Sequence, residues 1–475
     1  MRGKNFYLTT PIYYVNDRPH VGHAYTTVAA DVLSRYHRLL NDDVFFLTGT
    51  DENAEKNLRG AEKAGLEIKD YLAQMASLYQ ETWRELSIEP DFFIRTTWEN
   101  HRRGVYQFLA RVQQRGDIYR RQYRGLYCRG CEAFKTEKDL VDGRCPDHQT
   151  IPEELSEENY FFRLTRYRDF LLHYLDRYPD FIQPPSRREE VRNFIANFME
   201  DFSISRPYRG WGIPFPGDSS QVVYVWFDAL LNYLTGIGYG WDEEKFKHYW
   251  PAELHLVGKD IIKFHCAYWP AMLESAGLPQ PRRIFAHGYF TLEGQKISKS
   301  IGNVIDPREL VAEYGADALR YYYFRALSFG QDGDFSRSQL AQIYRSELAH
   351  EWGNLVGRVL ALANKNNLTL PPWPRPRAVV LRYREYKKAL DQLELSRALQ
   401  LLRQEVRQLN IQIDQLKPWE KIGEDEGRQA VAQWLVKISE LAILYQPFLP
   451  QSSTKIKQWY ENKTSSSLSP LFPLR

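Results

Sequence analysis

Cysteine is almost missing from this chain, with four residues in 475. That excludes a disulfide scaffold, which would carry far more. There is no run of about 18 uncharged apolar residues, so no membrane-spanning helix is expected. A collagen-like repeat and the composition of a disordered chain are excluded as well, because hydrophobic residues make up 43 % and charged residues 26 %. Charge of one sign is also lacking, with a net balance of +3. The start, Met1-Arg2-Gly3-Lys4-Asn5, leads straight into strand-like sequence with no signal or transit peptide. The expected location is therefore cytoplasmic, with no membrane partner.

What is present begins with length: 475 residues call for two to four units. The charge is unevenly spread. Residues 341–475 hold 20 Lys and Arg against 13 Asp and Glu, or +7, leaving 43 against 47, or −4, for residues 1–340. A near-neutral front and a basic back fit a catalytic body joined to a polyanion-binding module, and equally an uneven scatter of solvated charge. Rings are plentiful, with 31 Tyr and 12 Trp, and most are expected to fill a large core.

Residues 5–12 read as a buried strand, 13–19 as a loop, and 21–40 as a helix with Val28, Val32, Leu33 and Tyr36 on one face. Residues 44–50 are an apolar strand ending in a turn, and a further helix starts near Ala54. Strand, helix, strand, helix predicts a parallel sheet with covering helices. Its ligands belong beyond the carboxyl ends of the strands. From Tyr119 to about Gly217 the pattern breaks up, as in an insertion. Strands resume near Val222, at 254–258 and at 283–286, and stop after about residue 325. Leu395, Leu399, Leu402, Val406, Leu409 and Ile413 then form a helical stripe.

Three motifs carry chemistry. His20-Val21-Gly22-His23 follows a strand and opens a helix, so both imidazoles stand where helix amides attract phosphate. Gly22 leaves room for a flat base or ribose on the backbone. Alone, the string equally describes two structural histidines or part of a metal site. Lys296-Ile297-Ser298-Lys299-Ser300, flanked by Gly294, suits a clamp on a polyphosphate, although such a string alone is more often just a solvated turn. Cys128-x2-Cys131-x13-Cys145-x2-His148 has zinc-knuckle spacing, and its four donors leave no open position, which describes a structural Zn2+. The fourth cysteine, Cys266, is expected to be packing.

Together, the HxGH string on the first strand–helix turn and the KxSKS string late in the same sheet resemble the signature pair of class I aminoacyl-tRNA synthetases. Thr10-Pro11-Ile12-Tyr13-Tyr14-Val15-Asn16, Thr48-Gly49-Thr50-Asp51-Glu52, residues 224–233 (YVWFDALLNY) and residues 258–265 (GKDIIKFH) resemble methionyl-tRNA synthetase, in the family's order and over nearly the whole chain. The cysteine spacing resembles its bacterial-type, single-zinc branch.

The resemblance implies a Rossmann-type α/β catalytic domain in two halves, 1–118 and 218–325. A zinc-binding connective insertion, 119–217, would lie between them, and an α-helical bundle that binds the anticodon would follow at 326–475. It implies activation of L-methionine with ATP and Mg2+ to methionyl-adenylate, then transfer to the 3′ end of tRNA(Met), initiator tRNA included. His20, His23, Lys296, Lys299 and Arg206 would be catalytic, and Gly22, Asp260, His287 and Ser298 would contact ATP. Ile12, Tyr14, Trp226, Leu230, Tyr233, Ile261 and His265 would form the methionine pocket, with Asp51 on the ammonium. Asn354, Arg358 and Trp419 would read the anticodon. A monomer with one Zn2+ is expected. One departure stands out: the family pattern Asp-x-His-Gly is Asp51-Glu52-Asn53-Ala54 here. Asn53 keeps hydrogen bonding but carries no proton, and Ala54 lacks glycine's freedom at positive φ.

Overall fold

The computed structural model describes residues 3–128, 133–135, 137–146, 149–296, 304–462 and 470–474. The chain opens with β1 (Asn5–Tyr14), α1 (Val21–Leu39), β2 (Asp43–Asp51), α2 (Glu55–Ala64), α3 (Ile68–Glu85), β3 (Phe92–Arg95) and α4 (Glu99–Gln114). β1 is buried from residue 6 to residue 10 without alternation. That is the pattern of a parallel strand covered on both faces. Pro11 donates no ladder hydrogen bond, and the pairing of β1 with β2 is irregular between Thr9 and Ile12. Beyond it, Tyr13 and Tyr14 pair with Thr50 and Asp51, so the strand runs two residues past the loop start expected from sequence.

The middle of the chain contributes β4 (Ile118–Cys128), β5 (Ala133–Lys135), β6 (Glu153–Phe162), α5 (Arg168–Arg177), β7 (Ile182–Gln183), α6 (Pro185–Asn197), β8 (Phe202–Ser203), β9 (Ser205–Pro207), β10 (Pro214–Phe215) and β11 (Asp218–Val223). β4, β5, β6 and β8 form a separate antiparallel sheet. β7 does not belong to it. It pairs with β13 (Ile284–His287) in the main sheet, so the stretch expected to be wholly inserted returns once to the body.

Short helices α7 (Val225–Leu230) and α8 (Asn232–Thr235) lead to β12 (Leu254–Gly258) and then β13. The main sheet runs β3-β2-β1-β12-β13-β7, all parallel. Chain order reverses direction between β1 and β12, which makes their carboxyl ends the topological switch point. β9, β10 and β11 make a small antiparallel sheet, and β14 (Phe290–Leu292), β15 (Gln295–Lys296) and β16 (Gly333–Phe335) make another small sheet. β16 corrects the expectation that strands end near residue 325. At three residues it is too short to show a period.

The chain then turns helical, with long helices at Asn354–Lys365, Leu395–Leu416, Asp425–Tyr445 and Pro450–Asn462. The stripe from Leu395 to Ile413 is buried as its spacing predicts. Each such side chain contributes about 1.5–3 kcal/mol by burial. Arg320, fully buried, joins the two regions. It pairs with Asp31 of α1 at 2.6 Å and donates to the carbonyls of Leu86, Ser87, Pro447 and Phe448. Burial alone would push the Asp31 carboxyl up, but Arg320 and Arg35 outweigh it and hold the group below the usual range. No helix among the described residues is long and apolar enough to cross a membrane.

Candidate active site

The start of α1 stands at the switch point. His20 is its N-cap in extended backbone, and its Nδ1 accepts from the Gly22 amide at 3.1 Å. The His23 Nδ1 in turn accepts from the His20 amide at 3.4 Å, a capping box made of two imidazoles. The rings stack with centroids 3.7 Å apart. Accepting at Nδ1 places each neutral ring's proton on Nε2. The pair therefore presents N–H donors at a helix start, where partial positive charge gathers.

The Lys-Ser motif comes to the same place by its flanks. Lys296 ends β15, which pairs with β14. On the far side the Ile305 carbonyl accepts from the Val21 amide at 3.2 Å, against the first residue of α1. Ser298 and Lys299 lie outside the described residues. His287, at the end of β13, is buried. Its Nδ1 donates to the Gly288 carbonyl at 2.8 Å, so its Nε2 accepts from the Thr26 hydroxyl of α1 at 2.7 Å. Burial lowers its pKa to about 4. Asp260 is exposed just past β12. Gly258 lets its carboxyl fold back there, since a Cβ at 258 would lie 2.5 Å from the Asp260 Oδ1.

The hydrophobic candidates form a floor and a rim. Leu230, Tyr233 and His265 are buried, at 2 %, 1 % and 1 % exposure. Ile12, Tyr14, Trp226 and Ile261 are partly exposed and pack on the same core. Trp226 stacks on Phe264 at 3.9 Å and meets Tyr14 edge-on at 6.4 Å. His265 Nδ1 donates to the Ile261 carbonyl at 3.0 Å, so its Nε2 accepts from the Tyr233 hydroxyl at 2.7 Å. Burial lowers this histidine too, to about 4. The result is an aromatic cluster with a neutral imidazole buried at its base.

Asp51 ends β2 and is buried, its carbonyl bonded by the Asn57 amide at 2.9 Å. The departure at Asn53 and Ala54 is accommodated. Asn53 Nδ2 donates to both the Thr96 carbonyl at 3.1 Å and Asp228 Oδ2 at 2.8 Å. Asp228 Oδ1 also accepts from His101 Nε2 at 2.7 Å, with both side chains fully buried. Ala54 sits at φ −70°, ψ 140°, which any residue adopts, so glycine's freedom is not needed. Sequence reading quoted Asp228 inside a motif and overlooked it as a hub, and it missed His101 and Glu52. These partners are 43 to 175 residues apart in sequence, so no local spacing reveals them.

Arg206, on β9, is turned into the insertion. It donates to the Ser203 hydroxyl at 2.6 Å and the Ser205 carbonyl at 2.7 Å, and lies 4.2 Å from the Tyr224 ring, one residue before α7. In the helical region, Arg358 lies 5.3 Å from the ring of Trp419, which is 47 % exposed, and Asn354 is exposed one turn before Arg358. Cys128 and Cys145 are buried thiols, whereas Cys131 and His148 lie outside the described residues. No group of three metal-ligating side chains occurs among the described residues. Cys266 is buried, which pushes its thiol well up and leaves it as packing.

A six-stranded parallel sheet with a histidine-capped helix start at its switch point, an antiparallel insertion and a helical C-terminal region define a class I tRNA synthetase. The family model of class I tRNA synthetases (M) matches residues 6–154 and 148–360. The methionine–tRNA ligase of Thermotoga maritima is 42 % identical over 469 residues, 95 % of this chain and 74 % of that protein. That of Thermosynechococcus vestitus is 43 % identical over 98 % of this chain and 92 % of its own length. A structure of Mycobacterium tuberculosis methionyl-tRNA synthetase in complex with methionyl-adenylate superposes with a TM-score of 0.89 at 37 % identity, covering 99 % of this chain and 100 % of that one. Its apo form gives 0.81 at 35 %. The chain belongs to the methionine–tRNA ligase family and is an enzyme of the aminoacyl-tRNA ligase class.

Proposed function

We propose that the site activates L-methionine with ATP, giving methionyl-adenylate and pyrophosphate, and passes the methionyl group to the 3′ end of tRNA(Met). The observation that carries this reading is one juxtaposition. A histidine-capped helix start and an aromatic cluster over Tyr233 and His265 meet at the ends of β1 and β12. Neither step needs a protein nucleophile, so alignment and charge stabilisation do the work.

In this scheme His20 and His23 donate from Nε2 to phosphate oxygens as charge builds. Lys296 and Lys299 hold the β- and γ-phosphates, with Mg2+ accompanying ATP. Gly22, Asp260, His287 and Ser298 border the nucleotide. Ile12, Tyr14, Trp226, Leu230, Tyr233, Ile261 and His265 surround the thioether, whose sulfur packs well near ring edges. Asp51 holds the ammonium. Arg206, beside the ring of Tyr224 just before α7, would act at the reacting centre.

Residues 326–475 would read the anticodon through Asn354, Arg358 and Trp419, a guanidinium beside an exposed ring suited to a splayed base. Residues 1–118 and 218–325 would be the two halves of the catalytic domain, with 119–217 as the insertion. There, Cys128, Cys131, Cys145 and His148 would hold one Zn2+. The described half fits. Both thiols are buried and both border Thr150, whose hydroxyl is 4.0 Å from Cys128 Sγ and whose carbonyl accepts from the Cys145 amide at 2.8 Å. The ion would supply cross-linking of this small sheet rather than catalysis. A cytoplasmic monomer completes the reading. ATP–pyrophosphate exchange without tRNA, run with each amino acid in turn, tests it. Exchange with methionine alone is expected, and exchange driven by another amino acid would overturn the pocket.

A further inference from the structure

A cavity of about 450 Å³ opens beside the site, displaced outward beyond the carboxyl ends of β2 and β3. Asn53 forms the wall shared with the active site, two residues past Asp51. Around it stand Lys69, Arg95, Arg102, Thr97 and the indole of Trp211. No carboxylate lines it among the described residues. Two of the cations are partnered: Arg95 bonds the buried Glu52 at 2.7 Å and Arg102 bonds Glu99 at 2.6 Å. Lys69 makes no ion pair among the described residues. The local excess is thus one positive charge, which matches a single phosphodiester rather than the triphosphate of ATP.

The Trp211 ring packs against the core and also lines the cavity. Trp211 is half-buried, and its Nε1 donates to the Glu52 carbonyl at 2.7 Å. Gly212 follows at φ +120°, with the position of a Cβ already 3.1 Å from Val222, so only glycine fits the turn that presents the indole. A fixed aromatic face, hydroxyls and one surplus cation are the chemistry of a nucleotide subsite, where base stacking and a phosphate contact act together.

We propose that this cavity holds the 3′-terminal nucleotides of the tRNA, a base lying against Trp211 and a phosphodiester among Lys69, Arg95 and Arg102. The assignment rests on the ligase reading above and names where its second substrate enters. The terminal ribose would then approach from the β2–β3 side, past Asn53. ATP would sit at α1, on the other side of β1.

The test is a coupling measurement on the full chain. Binding of tRNA(Met) is compared with binding of the same tRNA lacking its last two nucleotides, for wild type, Lys69→Ala, Arg102→Ala, Trp211→Ala and the milder Trp211→Phe. For wild type the truncation is expected to weaken binding about tenfold. For Lys69→Ala and Trp211→Ala the penalty shrinks towards none, and single-turnover transfer from preformed methionyl-adenylate slows about tenfold. Trp211→Phe, which keeps a ring, retains most of both. A truncation penalty unchanged in Lys69→Ala and Trp211→Ala overturns the proposal. So does a fall in tRNA-free exchange as large as the fall in transfer, since the cavity would then serve activation. Wild-type exchange with methionine is read separately. Its absence would fail the ligase reading itself, whatever the cavity does.

Discussion

The recess beneath Trp226 and the patch around Trp419 both use aromatic rings, in opposite ways. In the recess the rings lie over buried hydrogen bonds, and His265 is kept neutral between Tyr233 and Ile261. On the helical region a single ring is left 47 % exposed beside a guanidinium. A small amphipathic substrate is selected by a surface that excludes water and leaves few polar groups unmatched. A base at the end of a flexible loop is captured by a face already in solvent, because stacking needs a π surface more than a cavity. One region buries its hydrogen bonds beneath rings, and the other keeps a guanidinium, paired with Asp414 at 3.0 Å, beside a ring in solvent.

That contrast can be broken from either side. The largest effect is expected for Lys299→Ala, which removes one charge from the phosphate clamp. Exchange should fall about 10²-fold or more while tRNA affinity stays unchanged, and an unaltered exchange rate would remove the lysine from its role. Trp419→Ala should do the reverse. Aminoacylation kcat/KM should drop about tenfold or more with exchange intact, and equal losses in both assays would show the two regions to be one functional unit. Asp228→Asn sharpens the picture of the recess. It disturbs a carboxylate that receives Asn53 and His101, so about 1–3 kcal/mol of stability should be lost, with a higher KM for methionine. Denaturant titration beside exchange kinetics separates the two effects, and an unchanged KM would make the hub purely structural.

The smallest effect is one of pH. His265 and His287 have folded-state values near 4, below the ordinary value of 6.5. Between those limits the unfolded chain binds the extra protons. Stability should therefore be fully present above about pH 6.5 and decline as pH falls towards 4. The KM for methionine should be flat from pH 8 to 6.5, and a step within that range would mean that His265 titrates in the native recess.

Four of the six main-sheet strands, β1, β2, β12 and β13, were legible because parallel strands buried on both faces read as continuous apolar runs, as residues 44–50 do, whereas β3 and β7, at four and two residues, are too short to show one. The insertion was not. β4 and β6 pair through exposed polar positions such as Gln122 opposite Glu158, with the Arg124–Glu154 ion pair between them, and a sheet exposed to solvent needs no apolar alternation. The ends of α1 and β2 were placed to within a residue or two, and the stripe of Leu395–Leu416 as expected. At the site, motif strings singled out the two stacked histidines and the side chains that pack around Trp226, Tyr233 and His265. The contacts of Asn53, Asp228 and His101 depend on tertiary closure and have no sequence period.

The position of Arg320 bears on how the molecule comes apart. Its guanidinium draws partners from α1, from the turn after α3 and from residues 447–448 near the chain's end. Removing the terminal helices would strip two carbonyls from a charge with no access to water, a loss comparable to breaking a buried ion pair, about 3–5 kcal/mol. The parallel-sheet body and the helical C-terminal region therefore share one melting event, and calorimetry should record a single endotherm in place of two.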